Sequence, residues 1–285
     1  MDWLTEWIRQ GLIEAIIGRF TGIYDSINRQ VGEIAVNVGQ TPQGWNPGVF
    51  SMIKTLSDTV VVPVAGIILT FVLCYELISM VIEKNNMANF EVFTIYKWII
   101  KTFCAVYILT HTFDIVMGIF SLAQHVVSGS AGVISGDLDL SVDAALADLQ
   151  VMLETMGMWE LIGLWLESFI ISLSLQAMTI CVFIVIFGRM IEIYLTVSVA
   201  PIPLATMANR EWGQIGAGYL KSLFALAFQG FLIMVCVAIY AVLTKNIPSG
   251  GNPHASILIT LAYTILLVFT LMKTSSLAKN LFGAR

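Results

Sequence analysis

Over the first 36 residues the apolar side chains Leu4, Ile8, Leu12, Ile16, Phe20, Ile23, Ile27, Val31 and Ile34 recur at steps of three and four. Glu6, Arg9, Glu14, Arg19, Asp25, Arg29 and Glu33 fall between them. This is the period of an α-helix with one apolar stripe, and the recurring charges exclude the stretch as a simple membrane span. Trp3 and Trp7 stand at its start, and such rings favour the lipid–water interface. Three arrangements fit: packing on the rest of the same chain, lying in the membrane interface, or zipping with neighbouring copies. For the last, Leu4, Ile8, Leu12, Ile16, Phe20, Ile23 and Ile27 are the candidate contacts. Residues 37–49 hold Asn37, Gly39, Pro42, Gly44, Asn46, Pro47 and Gly48, which read as a loop.

Beyond residue 50 the pattern changes to long apolar runs. About 20 helical residues cross ~30 Å of hydrocarbon. Val60–Ile82, Trp98–Val116 (with an extension towards His125), Leu161–Gly188, Tyr219–Leu243 and Ala255–Met272 are long enough to span. Ile191–Met207 is shorter, and Pro201 and Pro203 each remove a backbone donor from its second half. The expectation is an all-α polytopic membrane bundle of five complete spans plus one broken segment that enters and returns. Six plain spans with a kinked fourth is the alternative. Between the second and third spans, Ser128–Gly136 reads as loop. Ser141–Met158 reads as a short helix, with Ser141 as a candidate N-cap and Val142, Ala145, Leu149 and Met152 on one face.

Composition agrees. The 285 residues are 58% hydrophobic and 12% charged, with mean hydropathy +0.86, against about 45–50% apolar and about 25% charged in a soluble domain. Fourteen Lys+Arg against 19 Asp+Glu give a net charge of −5, too few and too scattered for a surface that grips duplex DNA. Cys74, Cys104, Cys181 and Cys236 all sit in apolar runs and read as buried hydrophobes. No metal-binding spacing, phosphate loop or catalytic set emerges, so neither a cofactor nor an enzymatic activity is expected. The charges at Asp2 and Glu6 are unlike a cleavable signal peptide.

Basic residues set orientation. Lys273, Lys279 and Arg285 place the C-terminus inside, and Lys84 and Lys97 place the 83–97 loop inside. No Lys or Arg occurs between Lys101 and Arg189, so the acidic 126–160 segment falls outside. A returning segment keeps Arg189 and Arg210 on one side and leaves the N-terminus outside. The chain then divides into an extracytoplasmic helix and loop (1–49), two spans (50–125), an acidic extracytoplasmic loop with a short helix (126–160), and a membrane domain with a cytoplasmic C-terminus (161–285).

Ionisable groups at span depth are costly and therefore meet partners, water or a bundle interior. Glu76, Lys101, His111, Asp114, Glu167, Arg189 and Glu192 are such groups, and with Pro201 and Pro203 they are candidates for helix pairing or for lining and gating a conduit. Arg189 and Glu192 share a helical face. Glu76 and Lys101 lie near the same ends of consecutive spans. A proton relay through Glu76, His111 and Asp114 is a further reading of the same groups.

The stretch Gly188-Arg189-Met190-Ile191-Glu192-Ile193-Tyr194, followed by Val199-Ala200-Pro201-Ile202-Pro203-Leu204, resembles the Arg-containing helix and Ala-Pro-Ile segment of the TrbL-like polytopic subunits of conjugative type IV secretion systems. The shortness of the chain is similar to versions carried by conjugative elements of Gram-positive bacteria. The resemblance implies an oligomeric core subunit in the cell membrane that forms or scaffolds the path of single-stranded DNA and its relaxase. Its partners would be lipid, further copies, other secretion subunits and separate ATPases. DNA contact would be transient, because the acidic 126–160 loop repels phosphate. The competing class is a secondary transporter or ion channel whose substrate site is built at the broken helix.

Overall fold

In a computed structural model of the chain, residues 2–83, 92–135, 142–245 and 252–284 are described. They form helices and turns with no strand among them. The helices are α1 (Asp2–Val38), α2 (Pro42–Trp45), α3 (Pro47–Leu56), α4 (Val62–Glu83), α5 (Val92–Thr110), α6 (Thr112–Ser135), α7 (Val142–Thr155), α8 (Met158–Ser198), α9 (Pro201–Ala205), α10 (Gly213–Lys245) and α11 (Pro253–Phe282). A π turn at Ser57–Val61 joins α3 to α4, and a 3-10 turn at Thr206–Ala208 follows α9. Five stretches are long and apolar enough to cross a membrane: Pro47–Ile82, Phe93–Thr110, Met158–Ser198, Gly213–Thr244 and Pro253–Phe282. The all-α polytopic reading therefore holds.

The fold departs from the sequence reading at several places. Pro42 and Pro47 open helices instead of ending one. Each sits at the first helical position, where its missing N–H is no loss. The side chains of Thr41 and Asn46 cap these helices by accepting from Gly44 N and Val49 N, both at 3.0 Å. Ser128–Ser135, read as loop, is the last part of α6. The second apolar run is two helices meeting at His111. Ile191–Met207 is not a separate segment. Its first half is the end of α8, which passes through Gly188 and Arg189 without a break, and only its second half, α9 and the 3-10 turn, is broken. Cys74 and Cys104 are exposed, and Cys181 and Cys236 are half-buried, since an apolar run that spans a membrane has no need to hide its outer face. The short helix read at Ser141–Met158 is α7, and its candidate cap Ser141 lies outside the described residues.

By contacts the chain forms two compact units. The first comprises Met1–Gly39, Val127–Phe187 and Phe231–Thr274. Its core is built on the α1 stripe: Ile16, Phe20, Ile23, Ile27, Val31, Ile34 and Val38 pack with Leu153 of α7, Leu161, Leu164 and Ile171 of α8, Val237 of α10 and Leu271 of α11. Among the candidate copy–copy contacts, Ile16, Phe20, Ile23 and Ile27 are thus occupied inside the chain, and Leu12 is half-buried against the same core. Leu4 and Ile8 stay exposed beside Trp3 and Trp7. Burial follows the periodicity because the stripe needs an apolar partner surface. Ile16→Ala is accordingly expected to lower stability by about 3 kcal/mol, and Ile8→Ala by less than ~0.5 kcal/mol, in thermal unfolding in detergent. Equal losses would mean that the stripe does not hold α1 in place.

The second unit comprises Gln40–Val126, Gly188–Gly230 and Ser275–Arg285. One cluster packs Ile53, Phe113, Val116 and Phe120 on Met190, Ile193, Val197, Leu223 and Leu226. Another packs Ala65, Leu69, Val72 and Leu73 of α4 on Leu109 of α5 and on Ala205 and Ala208 around α9. The Tyr194 hydroxyl donates to the Pro42 carbonyl at 2.5 Å and ties the α2 turn to α8.

Candidate functional site

The polar residues of the second unit gather at the turn between α8 and α10. The buried face of α4 carries Ala65, Leu69, Val72 and Leu73, and one turn further the same face carries Glu76. A carboxylate on a core stripe needs partners for both oxygens. Glu76 is 8% exposed. Its Oε1 accepts from Lys101 Nζ of α5 at 2.5 Å, and its Oε2 accepts from Asn209 Nδ2 at 2.7 Å. Asn209 is also buried, and its Oδ1 accepts from the backbone N–H groups of Glu211 and Trp212 at 2.8 and 3.1 Å. That geometry is the side-chain turn for which asparagine is suited. Outside it, Trp212 stacks on Phe71 and Tyr75 of α4 with ring centres 5.6 and 5.7 Å away, and the Tyr75 hydroxyl donates to Glu211 Oε2 at 3.1 Å. One carboxylate thus braces three elements: α4, α5 and the turn leading into α10.

Pro201 occupies the first position of α9 and is buried. The Pro203 carbonyl accepts from Thr206 Oγ1 at 2.7 Å. The start of α10 runs so close to this turn that a Cβ on Gly216 would lie 2.6 Å from the Pro203 carbonyl oxygen and 2.1 Å from Met207 Cγ. Backbone cannot give way as a side chain can. Gly216→Val is therefore expected to lower stability by about 2 kcal/mol, read as a lower midpoint of heat denaturation, and an unchanged midpoint would mean that the turn is not held there.

Further back on α8, Arg189 is 7% exposed, and its Nε and Nη1 have no hydrogen-bond partner. The guanidinium fits because α10 has glycine opposite it. A Cβ on Gly230 would stand 2.8 Å from Nη2 and 3.1 Å from Cζ. Glu192, one turn on and set by its spacing to meet Arg189, turns to Lys279 of α11 at 3.2 Å instead. Both partners are well exposed, so that pair contributes less than ~1 kcal/mol.

The remaining candidates lie apart from this group. Asp114 meets Lys54 at 3.4 Å near the start of α6. The His111 ring stacks on Tyr107 with centres 4.3 Å apart. Among the described residues, Glu76 bonds to Lys101 and Asn209, His111 to Tyr107 and Thr110, and Asp114 to Lys54, and no contact links the three. In the first unit, Glu167 pairs with His254 of α11. Sequence reasoning uses Lys279 only as an orientation signal and does not single out Asn209, Gly230 or His254. The motif Asn209-Arg210-Glu211-Trp212-Gly213 is the signal of a capping turn, whereas the other three gain their roles only through contacts with distant parts of the chain.

Five membrane-capable helices and the charges buried among them define a multi-pass α-helical membrane protein. Residues 27–201 match the family described as TrbL/VirB6 plasmid conjugal transfer like protein, and the chain belongs to it. It is a membrane subunit of conjugal transfer, a type IV secretion process, working among other components of that machinery. No curated protein and no solved structure matches the chain.

Proposed function

We propose that this chain, in several copies, forms or scaffolds the path by which single-stranded DNA and its relaxase cross the cell membrane, with separate ATPases supplying the energy. The N-terminus and the acidic 126–160 segment face outward and the C-terminus faces the cytoplasm. The observation that supports the reading is Arg189. A cation kept in a membrane-spanning helix, with two buried donor groups that have no acceptor in the chain, is costly, and costly intramembrane charges mark functional positions. The Arg189 region falls within the stretch matched to the conjugal transfer family.

The test has two arms. Donor cells without this protein are expected to lose transfer and to regain it when the wild-type chain is supplied. The protein purified in mild detergent is expected to contain several copies when counted by native mass spectrometry. Unchanged transfer without the protein contradicts the reading. Solute flux into liposomes by this protein alone, abolished by Glu192→Gln, would assign it to the transporter class instead.

A further inference from the structure

The N-terminal helix carries too many charges to be read as a span, yet it keeps step with one. Arg9 donates to the carbonyl of Met156, just ahead of α8, at 3.3 Å. Ten residues on, Arg19 Nη1 donates to the Trp165 carbonyl at 2.7 Å. Eleven further, Gln30 Nε2 donates to Thr179 Oγ1. The separation in sequence stays between 146 and 149 for the Arg19 and Gln30 bonds, so α1 and α8 run parallel and side by side.

That register sets α1 beside the uncharged part of α8. From Ser168 to Gly188, α8 has no charged residue, and 21 helical residues rise about 31 Å, the thickness of a hydrocarbon core. The α1 residues alongside are those from about Thr21 to Val38. They include Asp25, Arg29 and Glu33, which recur every four residues on one face, and all three are exposed. Arg29 and Glu33 make a loose pair at 3.8 Å. The groove beside this face, a cavity of about 320 Å³, carries polar side chains on both walls, Ser26 and Arg29 from α1 and Ser172 and Gln176 from α8, set among apolar ones such as Ile27 and Ile180. The side of α8 turned away from Gln176 and Thr179 is apolar and exposed at this depth, as at Ile170.

We infer that α1 stands at membrane depth as a companion to α8, and that its Asp25–Arg29–Glu33 face and the Ser26/Gln176 groove line a water-filled passage rather than meet lipid. The charged face is then hydrated, and only the apolar stripe needs a protein partner. This rests on the proposal that the chain borders a path across the membrane, and it names the side of the chain that faces that path.

Spin labels test it in the full-length protein in lipid bilayers, with Cys74, Cys104, Cys181 and Cys236 replaced by alanine. Asp25→Cys, Ser26→Cys, Glu33→Cys and Gln176→Cys are compared with Ile170→Cys at similar depth. The expected result is collision with a water-soluble nickel chelate above collision with oxygen at the first four sites, and the reverse at Ile170. A second variant, Gln30→Cys with Thr179→Cys, is expected to form an intramolecular disulfide in the membrane. Oxygen dominating at the α1 sites, or no such disulfide, overturns the inference. So does exclusion of both reagents with Ser26→Cys cross-linking between copies, which would mark a dry interface. Transfer is scored separately: water access with transfer independent of this protein sinks the conjugation reading alone, and lipid access with transfer intact sinks the lining alone.

Discussion

Arg189→Met is expected to raise stability and end transfer. The guanidinium is buried with Nε and Nη1 unmatched, and a buried charge without an acceptor is a standing cost to the fold. A Met side chain of similar length fills the space beside Gly230 without that cost. Exchanging buried charge for a well-packed apolar group stabilises by about 1–4 kcal/mol where it has been measured, so a gain of about 2 kcal/mol is expected in heat or denaturant unfolding in detergent. Transfer from donors carrying this variant at wild-type abundance should fall to background. Arg189→Lys keeps the charge but loses the planar fork of donors, and should recover only part. Opposite signs in the two assays mark a residue kept for function at the expense of the fold. A less stable Arg189→Met protein would mean that the donors are matched within the chain.

The second large effect is at the brace. Lys101→Met leaves the buried Glu76 carboxylate with only Asn209, and removing one partner of a buried pair costs about 3–5 kcal/mol. The Lys101 side chain is 35% exposed, so water softens the loss and the lower end of that range is expected. Trypsin should also cut faster at Arg210, in the turn that Asn209 holds. E76Q/K101M should recover most of the loss, because the neutral amide oxygen still accepts from Asn209 without needing a cation. A loss below ~0.5 kcal/mol for Lys101→Met would show that the pair is a screened surface contact.

What the sequence makes legible is whatever repeats locally. The α1 stripe from Ile16 to Val38 is buried residue by residue at its helical spacing, and the long apolar runs are the membrane-capable helices. What stays hidden depends on distant partners. A charge such as Arg189 signals the end of a span only if nothing accommodates it, and Gly230, 41 residues later, supplies the room. Ile191–Met207 reads as one segment when Arg189 is placed at a surface, but its first half continues α8 and only its second half is broken. Glu192 goes to Lys279 because α11 lies beside α8 there, a fact of packing and not of spacing. Pro42 and Pro47 read as breakers because proline both ends and opens helices, and only the caps at Thr41 and Asn46 decide which.

Passage of DNA beside this chain is the central claim. Donor cells caught during transfer by a short-range DNA–protein cross-linker, followed by recovery of this chain under denaturing conditions, test that directly. The transferred strand is expected to come down with it when the transfer ATPases are active and to be missing when they are not. Recovery of the strand with other membrane subunits but never with this one would contradict the claim.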